Sequence, residues 1–271
     1  MVPNTLVVMG LAIVGESTVA MDVALIQTFQ RRGAKLAKIR FLDIESHGSY
    51  FKADSGFIFC MSYKDLGEKK VHTVVRNNVL PDPYDDKALC KQIYDVIGDA
   101  DMIVTHNGKR FDIPFINTRL LIHDLPPLPN VPHFDTCEII FKKLKMSGRL
   151  DNTSATFGWK LKKHGVEVQK WFRAAAGNKA MLKEIVKHCE IDVKLLEKVY
   201  LKLRPLGFKH PNIALINEDG RQCPICGKKG TLQSRGWLPA QVNKAKRYQC
   251  TSCGGWSHAR YEKVKGVDIR L

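Results

Sequence analysis

The stretch Lys38 to Ser46, KIRFLDIES, decides how this chain folds. Its β-branched and aromatic residues predict a strand, and strand side chains alternate between two faces. Phe41, Asp43 and Glu45 then share one face, with Leu42 and Ile44 on the other. Two like charges side by side repel, and a sheet that buries them without a counter-charge loses stability. The strand asks for a positive partner.

Working outward, GFIFCMSYK and KKVHTVVRN read as the next two strands of a meander that turns at Asp65 to Glu68. DDKALCKQIYDVIGDA carries apolar residues at helical spacing and ends near Gly98. MIVTHN is a short buried strand, and FDIPFINTRLLIHDL begins a helix with Asp112 at its N-cap and Pro114 in its first turn. HFDTCEIIFKKLK predicts a strand running into a helix, and NTSATFGWKLKKHG a further short helix. The last helix, NKAMLKEIVKHCEIDVKLLEKVYLKL, has the strongest pattern, an apolar stripe of Met181, Ile185, Cys189, Leu196, Val199 and Leu203. Strands followed by alternating helices and strands predict an α/β fold, a mixed sheet flanked by helices. Arg204-Pro205-Leu206-Gly207 stops the helix, and the segment to Asn217 reads as a linker.

The chain thus divides into a helical extension over 1–36, an α/β domain over 37–207 and a small C-terminal domain over 218–271. Residues 1–36 read as helices packed on the main domain rather than as a helix-turn-helix. The apolar run LVVMGLAIVG near the start is shorter than the ~20 residues of a membrane span. It also lacks the basic flank of a signal peptide. The expectation is a cytoplasmic protein with no membrane partner.

A hydrophobic content of 44% supports a packed core, and a net charge of +16 favours an anionic partner, nucleic acid first and acidic lipid second. From Arg204 onward thirteen Lys/Arg stand against four Asp/Glu, so nine of the sixteen net charges lie in the last quarter. The eight cysteines divide evenly. Cys60, Cys90, Cys137 and Cys189 sit singly in apolar surroundings and read as reduced core thiols, whereas Cys223, Cys226, Cys250 and Cys253 form two CxxC pairs.

Two further acids bear on Asp43 and Glu45. Asp112 follows a buried strand at the mouth of a helix, and Asp192 lies mid-helix between Ile191 and Val193, one turn beyond His188. Four acids converging from separate elements make a site of strongly negative potential. Hard Mg²⁺ or Mn²⁺, which prefer oxygen ligands, are the usual remedy, so the missing positive partner is expected to be a pair of such ions.

The segments FLDIES, THNGKRFDIPFINTRL and VKHCEIDVKLL resemble the three exonuclease motifs of the DEDD superfamily. The likeness is to the DnaQ-like 3′→5′ exonucleases of ribonuclease H-like fold, particularly the stand-alone forms common in bacteriophages. It covers roughly residues 37 to 205, and W-x-x-A-A-x-G before the final helix is a further family-like feature. The resemblance implies that Asp43 and Glu45 are first-motif metal ligands, Asp112 the second-motif ligand and Asp192 the third. It implies two-metal hydrolysis of a phosphodiester, with ions about 3.5–4 Å apart, most readily on DNA, in a bacterial or phage-infected cell. A replication or repair protein is a conceivable partner. Competing expectations are a structure-selective or RNA-directed nuclease and a non-catalytic nucleic-acid-binding protein on the same fold.

One departure stands out. The family carries either Y-x-x-x-D or H-x-x-x-x-D in its third motif, whereas this chain has His188-Cys189-Glu190-Ile191-Asp192. The tyrosine spacing holds the histidine residue. On a helix that spacing stacks His188 above Asp192, where a neutral imidazole can take a proton from water near pH 7. His188 is therefore the expected base, while His106 and Lys109 read as structural or phosphate-contacting residues.

In the tail, RQCPICGKKG and YQCTSCGGW supply two knuckles 23 residues apart, a gap that a hairpin would absorb. Four thiolates on two tight turns suit one structural Zn²⁺, and about fifty residues bury too little core to fold unaided. The alternative is a redox dithiol. His210 and His258 read as surface residues. Around the knuckles Arg235, Trp237, Lys244, Lys246, Arg247, Tyr248, Trp256, Arg260 and Tyr261 interleave cations with aromatics. Such a surface neutralises phosphates and stacks on unpaired bases, with Lys244, Lys246, Arg247, Trp256 and Arg260 the leading contacts. A protein-docking role is the alternative.

Overall fold

The computed structural model describes residues 36–48, 52–76, 84–159, 165–207 and 209–267. The expected helical extension over 1–36 lies, apart from Leu36, outside the described residues. Five strands form the main sheet: β1 (Ile39–His47), β2 (Phe57–Asp65), β3 (His72–Val75), β4 (Met102–Thr105) and β5 (His133–Asp135). Their order is β3-β2-β1-β4-β5. β1, β2 and β3 pair antiparallel, while β4 lies parallel to both β1 and β5. The helices are α1 (Lys87–Gly98), α2 (Asp112–Ile122), α3 (Thr136–Lys143), α4 (Leu150–Thr156), α5 (Val168–Ala175) and α6 (Lys179–Leu203). A mixed sheet between helices is the expected fold class.

The alternation read in KIRFLDIES sorts the core into two layers. Ile39 and Phe41 join Met102 and Val104 under Val193, Leu196, Val199 and Tyr200 of α6. Leu42 and Ile44 join Ile103 under Ile93 and Ile97 of α1 and Ile116 and Leu120 of α2. The opposite layer is pinned by a charge network that the sequence did not disclose. Asp86, its side chain fully buried, accepts from Arg119 Nη2 at 2.8 Å, lies 2.5 Å from His123 Nε2 and accepts the Ile58 N–H at 2.8 Å. Arg119 also donates to the carbonyls of Ala53 and Tyr84. One guanidinium thereby ties α2 to the chain before α1 and to the turn before β2. Cys60, Cys90, Cys137 and Cys189 are buried free thiols.

The segment expected as a linker is instead partly docked. α7 (Ile213–Ile216) follows an Asn212 cap, and Ile213 is buried in the main core. The Asn217 side chain accepts the Ala37 N–H at 2.6 Å. Four apolar residues, Ile-Ala-Leu-Ile, between Asn212 and Asn217 give this short helix a reason to pack. Beyond it lie β6 (Leu232–Ala240), β7 (Asn243–Cys250), β8 (Trp256–His258) and β9 (Glu262–Lys263). β6 and β7 make the hairpin between the two cysteine knuckles.

Candidate active site and cysteine cluster

Asp43 and Glu45 stand on β1 opposite Ser62 and Cys60 of β2, on the sheet face that looks at α6. Phe41, two residues back on that face, packs edge-on against Tyr200 of α6 with centroids 5.4 Å apart. α6 consequently lies over the acids, and His188 and Asp192 project toward them. His188 Nε2 is 3.9 Å from Glu45 Oε1 and 3.9 Å from Asp192 Oδ2. The Cys189 thiol donates to the Asp43 carbonyl at 3.3 Å and lies 3.7 Å from Asp43 Oδ2. That contact holds the first acid against the helix that carries the last.

Asp112 arrives from the other side. Its carboxylate accepts the Ile44 N–H at 3.1 Å, and its residue is only 3% exposed. It is not the helix cap: Phe111 occupies that position and Asp112 is the first helical residue. The reason is the loop after β4, where the N–H groups of Arg110 and Phe111 both bond the Asn107 carbonyl and form a turn before the helix begins. A second buried acid, unnoticed in the sequence, fixes that loop. Asp135 accepts the N–H groups of Asn107 (2.8 Å), Lys109 (3.0 Å) and Cys137 (2.9 Å), capping α3 as it does so. Its signal was the Asp at the strand-to-helix step of HFDTCE.

His106 is bound at both ring nitrogens, Nδ1 to Thr136 Oγ1 at 2.8 Å and Nε2 to the Gly148 carbonyl at 2.6 Å. Lys109 pairs with Glu138 at 2.8 Å. Both read as parts of the scaffold.

Asp43, Glu45, Asp112, His188 and Asp192 line one open cavity of about 680 Å³, together with Arg110, Phe111 and Arg149. Burial pushes the Asp112 carboxyl up to about 7, against the hydrogen bonds from Ile44 and its own N–H, and the nearby Asp135 charge adds to the rise. Ligand atoms of Glu45, His188 and Asp192 lie within 4.8 Å of one another, as do those of Asp43, Glu45 and Cys189. A cavity dominated by carboxylate oxygens fits a hard divalent cation.

The four tail cysteines also gather, with all Sγ atoms within 4.8 Å. Cys223 to Cys253 measures 3.9 Å and Cys226 to Cys250 3.7 Å. A tetrahedron with Zn–S near 2.3 Å has S···S edges of about 3.8 Å, so the donor set fits zinc. Gly227 and Gly254, one after each CxxC, have φ of 73° and 76°. Each folds its N–H back to the carbonyl of the first cysteine of its knuckle at 2.9 Å. Only glycine takes that conformation without strain. His210 is half-buried rather than on the open surface. It lies between Phe134 and Tyr200, bonded to the Tyr200 hydroxyl at 3.1 Å, and burial lowers its pKa to about 4. His258 is exposed.

The cation and aromatic side chains of the tail fall on two faces. Pairing of Trp237 with Lys246 and of Lys244 with Pro239 puts Trp237, Lys244, Lys246 and Tyr248 on one face. Arg247, Gln249 and, through its pairing with Gln249, Trp256 point to the other, with the fully buried Ala245. Arg235, Arg260 and Tyr261 lie outside this alternation, Arg235 in the bulge between Ser234 and Trp237 and the other two beyond β8.

Residues 40–204 match the sequence profile of the RNase_H superfamily. The uncharacterized protein YprB of Bacillus subtilis (strain 168) is 34% identical over 110 residues, which is 40% of this chain and 26% of that protein. The chain thus corresponds to about a quarter of that relative. Among solved structures, the family B DNA polymerase of the hyperthermophilic archaeon Pyrobaculum calidifontis superposes with a TM-score of 0.49 at 15% identity, over 79% of this chain and 33% of that one. An exonuclease I superposes with a TM-score of 0.43 at 12% identity, over 61% and 41%. The profile spans β1 through α6, the elements that carry Asp43, Glu45, Asp112, His188 and Asp192, and by that match the chain belongs to the RNase H superfamily.

Proposed function

We propose that the protein is a metal-dependent 3′→5′ exonuclease, acting on DNA, with a zinc ribbon that holds the nucleic acid. The observation that carries this is the meeting of Asp43, Glu45, Asp112, Asp192 and His188 in one cavity from three separate elements. Polarity and the choice of DNA rest on the resemblance of the three motifs to DnaQ-like exonucleases.

Asp43, Glu45, Asp112 and Asp192 would hold two Mg²⁺ or Mn²⁺ ions. When bound, such ions supply Lewis acidity toward water and positive charge where the phosphodiester gains negative charge. The chain's own residues do the rest. His188, within 4 Å of two of the acids, takes the proton of the attacking water at its imidazole. Ile44 orients Asp112, and the Cys189 thiol orients Asp43. Arg110 and Arg149 supply positive charge on the cavity wall for substrate phosphates. In the tail, Cys223, Cys226, Cys250 and Cys253 would hold one structural Zn²⁺, and cations and aromatics of the ribbon would hold the strand.

Digestion of 5′-labelled single- and double-stranded DNA and RNA, with each metal and with EDTA, tests the reading. A descending ladder of single-nucleotide steps on DNA, dependent on the metal and absent in Asp43→Ala and Asp192→Ala, is the expected result. Discrete internal products would make the protein an endonuclease, and faster digestion of RNA would reassign its substrate.

A further inference from the structure

We propose that the substrate strand runs as a single strand over the ribbon face that carries Trp237, Lys244, Lys246 and Tyr248, and that Arg247 with Trp256 on the opposite face is a brace. The proposal rests on the reading of the ribbon as a nucleic-acid module and narrows it to one side of the sheet. The register of β6, β7 and β8 fixes the division, because residues i and i+2 of a strand share a face.

Exposure does not separate the faces, since Trp256 on the second is 49% exposed; what marks the first is that its charge is uncompensated. Trp237 is 47% exposed. Lys244 Nζ lies 4.3 Å from the Trp237 ring centroid and Lys246 Nζ 5.9 Å from that of Tyr248. Among the described residues neither lysine makes an ion pair, although Glu262 is the cross-strand neighbour of Lys244. Each cation is instead parked over an aromatic face. A lysine so placed gives its charge to a phosphate by a small swing, and the ring it uncovers accepts a base. Two such pairs side by side supply alternating phosphate and base contacts, which suits an unpaired strand and not a duplex with its bases stacked inside.

On the second face the guanidinium is already engaged. Arg247 Nε and Nη2 both donate to the Arg235 carbonyl, at 3.2 and 3.0 Å, while its Cζ lies 4.9 Å from the Trp256 centroid. Arg235 sits in the bulge of β6 between Ser234 and Trp237. Arg247 thus closes the extra backbone carbonyl that the bulge creates, and the bulge sets the position of Trp237. Ala245, on this same face, is fully buried, so its centre offers no open surface to a strand.

Fluorescence anisotropy of the full, zinc-loaded chain in an Asp43→Ala background, with labelled oligothymidine and a labelled duplex, tests the division. Lys244→Gln with Lys246→Gln should reduce the slope of log K against log salt by about 1.4, at roughly 0.7 per single-strand phosphate contact. Trp237→Ala should weaken the single strand about tenfold, within the range for one stacked base, and leave that slope and duplex binding unchanged. Arg247→Gln should leave the slope unchanged, and Gln249→Glu with His258→Glu should cost less than the lysine pair. If the opposite-face variants cost as much as the lysine pair, or Arg247→Gln lowers the slope, the face assignment is wrong and the ribbon still binds nucleic acid. If no ribbon variant alters binding, the ribbon reading itself falls, a protein partner takes its place, and the nuclease assignment stands on the cavity alone.

Discussion

The Asp112 carboxylate accepts the backbone N–H of Ile44, at 3.1 Å, and Ile44 is the residue between Asp43 and Glu45. The acid of the second motif is therefore anchored to the strand that presents the first two, and a shift of β1 moves all three. Burial holds the Asp112 carboxyl at a pKa of about 7, above the ordinary value. In the metal-free protein the folded state then binds more protons than the unfolded chain. Stability is full at about pH 4 and falls as the pH rises through about 7. Asp112→Asn keeps an acceptor for Ile44 and removes that loss. In EDTA it should be more stable than wild type at pH 8, by on the order of 1–3 kcal/mol, and about equal near pH 4. Urea denaturation at the two pH values checks this, while the variant loses cleavage.

His188 departs from both third-motif patterns of its likeness and can be tested alone. His188→Ala should lower turnover roughly 10²–10⁴-fold, the usual worth of a general base. Binding of Mn²⁺, followed by calorimetry, should persist because the four carboxylates remain. The acid limb of the pH–rate profile should shift or vanish in the variant. Ordinary turnover with an unchanged profile would reduce His188 to packing.

Arg119 carries no charge to the cavity, yet it should matter more to stability than any surface lysine. Its removal leaves Asp86 buried, among the described residues, with His123, the Ile58 N–H and the Cys90 thiol but no permanent positive charge. Arg119→Met should cost about 3–5 kcal/mol, the range for breaking a buried pair from one side. Replacing both partners with apolar residues should recover part of the loss. Chemical denaturation of the single and double variants measures the difference.

Removal of zinc should be felt beyond the ribbon. The Ile213 N–H bonds the Pro224 carbonyl inside the first knuckle at 2.8 Å, and Ile213 itself is part of the main core. Cys223→Ser with Cys226→Ser should unfold the chain beyond about residue 220 and also lower the main melting transition. A loss of one knuckle contact and partial release of Ile213, ~1–2 kcal/mol, corresponds to a fall of about 2–8 °C. Calorimetry on the zinc-loaded wild type and on the double-serine variant checks both changes, and an unshifted main transition would mean that the knuckle does not support the core.

The alternation in KIRFLDIES, the meander after it and the stripe on α6 were legible because each is a local periodicity, set by how a strand or helix points its side chains. The two CxxC knuckles were legible for a similar reason, since the glycine that closes each turn follows directly in the sequence. Asp43, Glu45, Asp112 and Asp192 were named from the resemblance of three motifs, and His188 from helix spacing beside the third, but their meeting in one cavity depends on β4 lying parallel to β1 and on α6 crossing the face of Phe41. Those are contacts between residues about 60 to 160 positions apart, and no local pattern encodes them. Asp86 and Arg119 were invisible for the same reason: a buried charge is recognised by its partner, and here the partners come from different elements; Asp135 left a local signal as a helix cap, but not its hold on the loop after β4. The division of Lys244 and Lys246 from Arg247 and Trp256 needed only strand parity once the register was known. The sequence supplied the residues; pairing of β6, β7 and β8 decided which face each one occupies, because a one-residue slip in register would have turned every one of them to the other side.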